Sequence, residues 1–187
     1  MQNRTPGIPE QATEPPSPTR ADIDAYLGAE LASVVSAARR RALRDGDQRI
    51  DTAHLLHSLI ESDPLVRAAF GDGTPLTKVL GLLVQRSIGY GLAWQGRPED
   101  SGTVPRVPLT AAEGWSPAAA GAMESAARQA ARRGEPHADG LDVLSALASD
   151  RSSRAVEVLR RAGVDPATLR RSDADGGRPA EPDAADR

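Results

Sequence analysis

Few side chains in this sequence are suited to chemistry, and three of them lie close together. His54 and His57 are three residues apart and Glu61 follows four residues later, so a helix would place all of them on one face. Two imidazoles and a carboxylate are ligands that Zn²⁺ accepts. No second cluster elsewhere in the sequence supports a metal centre. We therefore predict no metal site, and no cofactor.

Covalent catalysis has no candidate nucleophile. The sequence has no Cys, which excludes disulfides and thiolate ligands, and no Gly-x-Ser-x-Gly motif. The acidic pairs Asp45/Asp47 and Glu99/Asp100 lie in polar turns, where we interpret them as helix caps and solubilising groups. His137 stands alone in a turn and is predicted to be solvated. The sequence thus predicts no catalytic residue and a protein that is not an enzyme.

An internal repeat decides how these residues are positioned. Aligning Gly46 with Gly134 matches like residues along two helices and the turn between them. The matched pairs are Arg40/Arg128, Ala42/Ala130, Asp51/Asp139, Leu56/Leu144 and Leu59/Leu147. With a gap of one residue, Asp63-Pro64 and Arg67-Ala68 fall on Asp150-Arg151 and Arg154-Ala155.

Each repeat is predicted to contain four helices. Apolar residues at i, i+3 and i+4 spacing mark the long first helix of repeat one, at Leu31, Val34, Val35, Ala38 and Ala42. Gly46 ends that helix, and Asp51 or Thr52 caps the next. Cap-then-proline pairs open the third and fourth helices, at Asp63-Pro64 and Thr74-Pro75.

The second repeat uses the same devices. Trp115-Ser116-Pro117 reads as an apolar staple, an N-cap and a first-turn proline, followed by an apolar face of Ala119, Ala122, Met123, Ala126 and Ala130. Gly134 closes the helix and Asp139 caps the next. A third helix contains Val156 and Leu159, and Asp165-Pro166 opens a fourth.

Composition sets the limits of the domain. Residues 1–21 and 172–187 are poor in bulky apolar groups and are predicted to be disordered tails. The range 22–171 is predicted to be one domain, with repeats at 26–86 and 115–171 and a polar linker at 87–114 that contains Tyr90 and Trp94. Aromatic residues make up only 3% of the sequence, so the core must be built from Ala, Leu and Val. No run approaches the roughly 18 apolar residues of a membrane span, which predicts a soluble, cytoplasmic protein without membrane partners.

The order and duplication of these motifs resemble the Clp N-terminal domain, also called the Clp R domain, as found in actinobacterial ClpC. The matching segments are Asp51-Thr52-Ala53-His54-Leu55-Leu56, Ala131-Arg132-Arg133-Gly134, Asp139-Gly140-Leu141-Asp142-Val143-Leu144 and Gly163-Val164-Asp165. The resemblance implies an all-α fold, in which two tandem pseudo-symmetric four-helix repeats form one compact unit. It also implies that His54 packs and forms hydrogen bonds near a helix start.

The resemblance further implies a binding function. Such domains receive substrates and adaptors of a Clp unfoldase, and some of them bind cyclic peptide antibiotics. The segment from Gly71 to Lys78 lacks the Gly-Lys-Ser/Thr of a phosphate loop, so this sequence is expected to act without an ATPase module, as a stand-alone accessory or decoy of the Clp system. The residues predicted to bind a peptide or partner are Tyr26, Leu27, Arg39, Trp115, Ala119, Met123 and Arg128.

Three departures from the family pattern affect the ligand. The Glu of the family's Gly-Thr-Glu-His motif, which belongs to a phosphoarginine pocket in some ClpC proteins, is Ala53 in repeat one and Leu141 in repeat two. The Thr of that motif is Gly140 in repeat two. Trp115 stands where the family has a Phe, and is interpreted either as a binding anchor or as a staple for its helix.

An alternative function rests on two arginine-rich helix faces. These faces hold Arg39, Arg40, Arg41 and Arg44 in repeat one, and Arg128, Arg132 and Arg133 in repeat two. They are either solvated outer faces or a surface for nucleic acid or a transcription-associated factor. A formal net charge of -3 makes nucleic acid the weaker of the two interpretations.

Overall fold

A computed structural model describes residues 27–71, 73–88, 99 and 114–170. Seven α-helices lie in these ranges: α1 (Ala29–Arg44), α2 (Thr52–Ser62), α3 (Pro64–Ala68), α4 (Thr74–Ser87), α5 (Pro117–Arg132), α6 (Gly140–Ser149) and α7 (Arg154–Arg161). A 3₁₀ helix, Pro166–Leu169, follows α7. The prediction of two four-helix repeats is confirmed, with one difference. The fourth element of repeat two is a single 3₁₀ turn, a geometry that proteins use in short pieces.

Matching caps begin the second helix of each repeat. Asp51 accepts a hydrogen bond from the backbone N–H of His54 at 2.8 Å, and the Asp51 N–H donates to His54 Nδ1 at 3.1 Å. Asp139 and Asp142 form the same reciprocal pair at 2.8 and 3.1 Å. Such a capping box satisfies backbone groups that a helix start leaves without partners.

Matching glycines end the first helix of each repeat. Gly46 and Gly134 have φ angles of 78° and 77°, in the left-handed region where a side chain is disfavoured. The residue after each glycine bonds back to the helix. Asp47 N–H donates to Ala42 O at 2.8 Å, and Glu135 N–H donates to Ala130 O at 3.0 Å.

Two backbone bridges join the repeats, one at the start of each repeat. Leu27, just before α1, forms a parallel bridge with Ala138 of repeat two, and Trp115, just before α5, forms one with Ile50 of repeat one. At the second bridge, Ile50 N–H donates to Gly114 O and Ser116 N–H donates to Ile50 O, both at 2.7 Å. Each repeat therefore provides the backbone partner for the residue that lies just before the first helix of the other repeat.

The core lies between the second helices. Every residue from Thr52 to Ile60 of α2 is buried, as is every residue from Asp142 to Ala148 of α6. Helices α2 and α6 contact each other, and α1 and α5 pack against them from outside. Ala, Leu and Val supply most of the buried apolar side chains, as composition predicted. The predicted tails, most of the linker, Tyr26, Tyr90 and Trp94 lie outside the described residues.

Candidate functional site at the two repeat junctions

Pockets lie at equivalent positions in the two repeats. We call junction one the place where α1 and the end of α2 meet the start of α6. A pocket of about 570 Å³ opens there, lined by Glu30, Leu31, Ser33, Val34, Ser62, Asp63, Pro64, Leu65, Asp139, Gly140 and Leu141. Both repeats contribute walls, because α1 and α2 belong to repeat one and α6 to repeat two.

Junction two is the counterpart, where α5 and the end of α6 meet the start of α2. Its pocket measures about 130 Å³ and is lined by Thr52, Ala118, Gly121, Ala122, Ser125, Arg128, Ala146, Leu147, Ser149 and Asp150. Under the repeat alignment, Ala118, Ala122 and Thr52 stand where junction one has Glu30, Val34 and Gly140. The backbone scheme is shared, whereas the side chains differ in size and charge.

The chemistry of junction one is acidic and apolar. Three carboxylates line the pocket, those of Glu30, Asp63 and Asp139, and no Arg or Lys is among its described lining residues. Leu65 adds an aliphatic side chain that is 67% exposed. Carboxylates beside an exposed aliphatic group favour a ligand that carries positive charge next to apolar surface.

A close approach at Gly140 shapes junction one. A Cβ at this position would collide with Asp63 Oδ2 and would lie 3.1 Å from Val66 Cγ2. Asp63 is held there because its Oδ1 caps α3, accepting from Leu65 N–H at 2.8 Å. Gly140 stands where the family motif has Thr, so its small size is what admits the Asp63 carboxylate.

A buried ionic network lies beside α2 in repeat one. His54 is 1% exposed. Its Nε2 lies 3.4 Å from Asp45 Oδ2 and 3.4 Å from Asp47 Oδ2. Arg86 of α4 contacts Asp47 at 2.9 Å and Asp51 at 2.5 Å. The interpretation of Asp45 and Asp47 as solubilising groups is therefore incomplete, because both face His54 and Arg86.

The same network contains a geometric metal candidate, formed by Asp47, Asp51 and His54. Its chemistry does not favour a metal. His54 Nδ1 already accepts the N–H of Asp51, so this ring nitrogen is occupied by a hydrogen bond within the helix cap. The guanidinium of Arg86 already supplies positive charge to Asp47 and Asp51.

Asp51 also links the two repeats. Its Oδ2 binds the guanidinium of Arg154, the first residue of α7. Burial by itself would raise the pKa of Asp51, but the hydrogen bond and charge of His54 and the charge of Arg86 hold that pKa well below its ordinary value. Asp51 is therefore an ionised carboxylate that connects α2 with α4 and α7.

Repeat two carries an equivalent pair with inverted charges. Asp142 aligns with His54, and Arg133 aligns with Asp45. Arg133 binds Asp142 Oδ2 at 2.6 Å, and Asp142 is 0% exposed. The hydrogen bond that Arg133 donates to Asp142 raises the pKa of Arg133 above its ordinary value. The repeat alignment already indicated this exchange, because it pairs Asp45 with Arg133 and His54 with Asp142.

His54 and His57, whose spacing was considered for a metal site, belong to separate networks of polar contacts. His57 Nδ1 lies 3.2 Å from Arg41, and His57 Nε2 lies 3.3 Å from Glu61 Oε1. Arg41 also binds Glu61. Burial, together with the charge of Arg41, lowers the pKa of His57 to about 4. His57 is thus a neutral side chain that bridges α1 and α2.

The residues predicted to bind a partner do not share one surface. Trp115 is 3% exposed, Ala119 is 0% exposed and Met123 is 3% exposed, so all three belong to the core. This burial favours the interpretation of Trp115 as a staple. Its Nε1 has no hydrogen-bond partner among the described residues. Leu27 is half-buried against the core.

The two arginines of that set lie on different helices. Arg39 is half-buried on α1. Arg128 lines junction two, where it lies 3.5 Å from Glu124. Within the arginine-rich faces, Arg41 and Arg133 are bound to acids of the same protein. Binding of nucleic acid through these faces stays a prediction.

Comparison with solved structures identifies the class of fold. The chain is similar to the N-terminal domain of the caseinolytic protease-associated chaperone ClpD from Arabidopsis thaliana, with a TM-score of 0.56 and 19% identity over 77% of this chain and 89% of that one. It is also similar to a protein from structural work on a malarial protein secretion system, with a TM-score of 0.53 and 15% identity over 76% and 89% of the two proteins. No protein-family model matches the sequence, and no curated protein matches it.

The fold is therefore that of a Clp N-terminal domain, as the motifs predicted. A membrane-crossing helix would need a longer apolar stretch than any helix in the described ranges provides.

Proposed function

We propose that this is a non-catalytic binding protein of the Clp system, which takes up peptides, protein substrates or adaptors at junction one. The observation that carries the proposal is the pocket of about 570 Å³ between the two repeats of a Clp N-domain-like fold. Binding sites in proteins are commonly concave, apolar-walled and equipped with a few polar groups, which describes this pocket.

The charge of the pocket suggests which peptides bind. Glu30, Asp63 and Asp139 favour a segment with an Arg or Lys side chain, and Leu65 offers apolar contact to the stem of that side chain or to a neighbouring residue. At this pocket Leu141 stands in place of the family Glu, and the carboxylates of Glu30, Asp63 and Asp139 lie at other positions on the wall. Recognition of positive charge is thus proposed to persist through different carboxylates.

The role in the cell follows from the resemblance. A protein that binds the substrates or adaptors of a Clp unfoldase either delivers them or competes for them, so this protein is proposed to act as an accessory or a decoy. We further propose that the protein binds cyclic peptides and that it acts in the cytoplasm, where a Clp unfoldase works.

Peptide binding at junction one can be tested by replacing two exposed leucines, one that lines the pocket and one that does not. Fluorescently labelled peptides with an Arg-Leu or Lys-Leu core would be titrated against the protein, with Glu-Leu peptides for comparison. Leu65→Ala is expected to weaken binding about tenfold, the loss typical of one buried aliphatic contact. Leu43→Ala is the matched control, because Leu43 is 71% exposed and does not line the pocket.

The charge preference has its own test. Glu30→Lys is expected to reduce the affinity for basic peptides and to raise it for acidic ones, whereas Glu135→Lys, the same charge change in an exposed turn, should leave both unchanged. The proposal is rejected if basic peptides show no saturable binding, or if the Leu65 and Leu43 variants lose affinity equally. Degradation assays with a purified Clp unfoldase and protease would then separate delivery, which accelerates degradation, from competition, which slows it.

A further inference from the structure

Glu99 occupies a position that its sequence context does not explain. Although it comes from the polar segment between the repeats, it is only 5% exposed. Its carboxylate lies where α2, α5 and α7 begin. Each of its oxygens accepts two hydrogen bonds: Oε2 from Thr52 N–H and Ser116 Oγ, both at 2.9 Å, and Oε1 from Arg154 N–H at 2.6 Å and from Thr52 Oγ1.

We propose that these three helix starts form a carboxylate-binding site, and that Glu99 is its intramolecular ligand. The four donors match the four lone-pair positions of a carboxylate, two on each oxygen. A planar group with two such oxygens is the side chain of Asp or Glu, or the terminal carboxylate of a polypeptide. This proposal does not depend on the peptide-binding function proposed above.

The two hydroxyl groups are oriented before a ligand arrives. Thr52 Oγ1 accepts the N–H of Ala155 at 3.0 Å, and Ser116 Oγ accepts the N–H of Ala119 at 3.1 Å. Because each oxygen already accepts a hydrogen bond, its own proton is free to point at the carboxylate. Donors fixed in this way lose little entropy when an anion binds.

The helices add an electrostatic contribution. Helix α2 has 11 residues, α5 has 16 and α7 has 8, and Glu99 accepts a hydrogen bond from the N-terminal end of each: from the backbone of Thr52 and Arg154 and from the N-cap hydroxyl of Ser116. Helix N-termini carry partial positive charge and stabilise anions. The four donors are neutral groups, so hydrogen bonds and helix dipoles together stabilise the buried negative charge.

The site also spans both repeats. Thr52 belongs to repeat one, whereas Ser116 and Arg154 belong to repeat two, so a carboxylate bound here ties the repeats to each other and to the connecting segment. Among the described residues, junction one lacks the matching hydroxyl donor, because Gly140 stands where repeat one has Thr52. A partner that presents an Asp, Glu or terminal carboxylate at the three helix starts therefore competes with Glu99.

Chemical rescue tests the proposal. The Glu99→Ala variant of the full-length protein would be melted in sodium acetate, sodium phosphate and sodium chloride, at pH 7 and equal ionic strength. Its melting temperature in chloride is expected to lie about 5–10 °C below that of the parent, given roughly 2–4 °C per kcal/mol for a protein of this size. Acetate should raise it saturably by several degrees more than chloride does. The parent, with Glu99 in place, should respond equally to acetate and chloride.

Control variants sharpen the result. Glu99→Gln places an amide in the site, so it should be destabilised and show no acetate response. Ser116→Ala combined with Glu99→Ala should weaken the rescue, and Glu135→Ala, an exposed carboxylate elsewhere, should show neither effect. If Glu99→Ala is unfolded in chloride, recovery of helical circular dichroism in acetate alone supports the site.

Three outcomes would overturn the proposal. The first is a Glu99→Ala variant as stable as the parent. The second is an equal response to acetate and chloride, including no recovery of an unfolded variant in either salt. The third is rescue by phosphate without rescue by acetate, which would show that the site does not prefer carboxylates.

Discussion

At junction one the start of α6 is a glycine that faces the Asp63 carboxylate, and an acidic pocket of about 570 Å³ opens beside it. At junction two the start of α2 is Thr52, which bonds to Glu99 and to repeat two, and the pocket measures about 130 Å³. The same backbone plan thus yields one open junction and one that is tied by hydrogen bonds. Both repeats keep the backbone arrangement that the fold requires, whereas the side chains at the two junctions differ.

The ionic pairs beside the second helices teach the same lesson. Asp45 faces His54 in repeat one, whereas Arg133 faces Asp142 at the equivalent positions of repeat two. The acid and the base have exchanged places between the repeats. An acid–base contact at this position is therefore kept although neither residue is.

The largest expected difference between the repeats concerns the two N-cap aspartates. Asp51→Ala would remove a buried carboxylate that both Arg86 and Arg154 bind, so we expect a loss of about 3–5 kcal/mol in the free energy of unfolding. Asp139→Ala, at an exposed N-cap, should cost about 1 kcal/mol. Urea denaturation of both variants measures the difference, and equal losses would contradict the asymmetry described here.

A smaller effect is expected at junction one. Gly140→Ala introduces a Cβ that collides with Asp63 Oδ2, which should destabilise the fold by about 1–3 kcal/mol. Gly81→Ala is the matched control in α4, where a Cβ meets nothing within 4 Å. That control should stabilise the protein by up to about 1 kcal/mol, because alanine favours a helix over glycine. A neutral or stabilising Gly140→Ala would mean that Asp63 moves aside freely.

A third difference between the repeats is a dependence on pH that His57 of repeat one should cause. The pKa of His57 is about 4 in the folded protein, below its ordinary value of 6.5, so the unfolded protein takes up a proton first as the pH falls. Stability is therefore complete above pH 6.5 and declines between pH 6.5 and 4, by at most about 1.4 kcal/mol per pH unit. The counterpart in repeat two is Ser145, which does not titrate.

Chemical denaturation at a series of pH values checks this prediction. The slope between pH 6.5 and 4 should be shallower in His57→Gln than in the parent, because the contribution of His57 is then absent. Identical slopes in the two proteins would show that His57 is not held neutral by its burial and by the charge of Arg41.

Much of the fold could be predicted from short-range patterns. Apolar spacing placed α1 and α5, the Asp63-Pro64 pair placed α3, and glycines placed the helix ends, because each signal acts within a few residues of its effect. Pro75 lies in the first turn of α4 as predicted, but the N-cap of that helix is Gly73 and not Thr74. The duplication of these signals then predicted the Clp N-domain-like architecture. The binding surface was harder to predict. An apolar helix face that looks available in sequence, such as that of Ala119 and Met123, is buried in the core of the structure.

Glu99 shows the limit most clearly. In the sequence it is one acid of a polar linker, and only the fold brings it to Thr52 and Arg154, which are 47 and 55 residues away. The sequence alone determined the helices, their caps and the repeat, because hydrogen bonds between near neighbours specify them. The tertiary structure decided which charges are buried, how Arg86 and Arg154 reach Asp51, and which junction stays open. Those outcomes depend on contacts between residues far apart in the sequence, which no local pattern records.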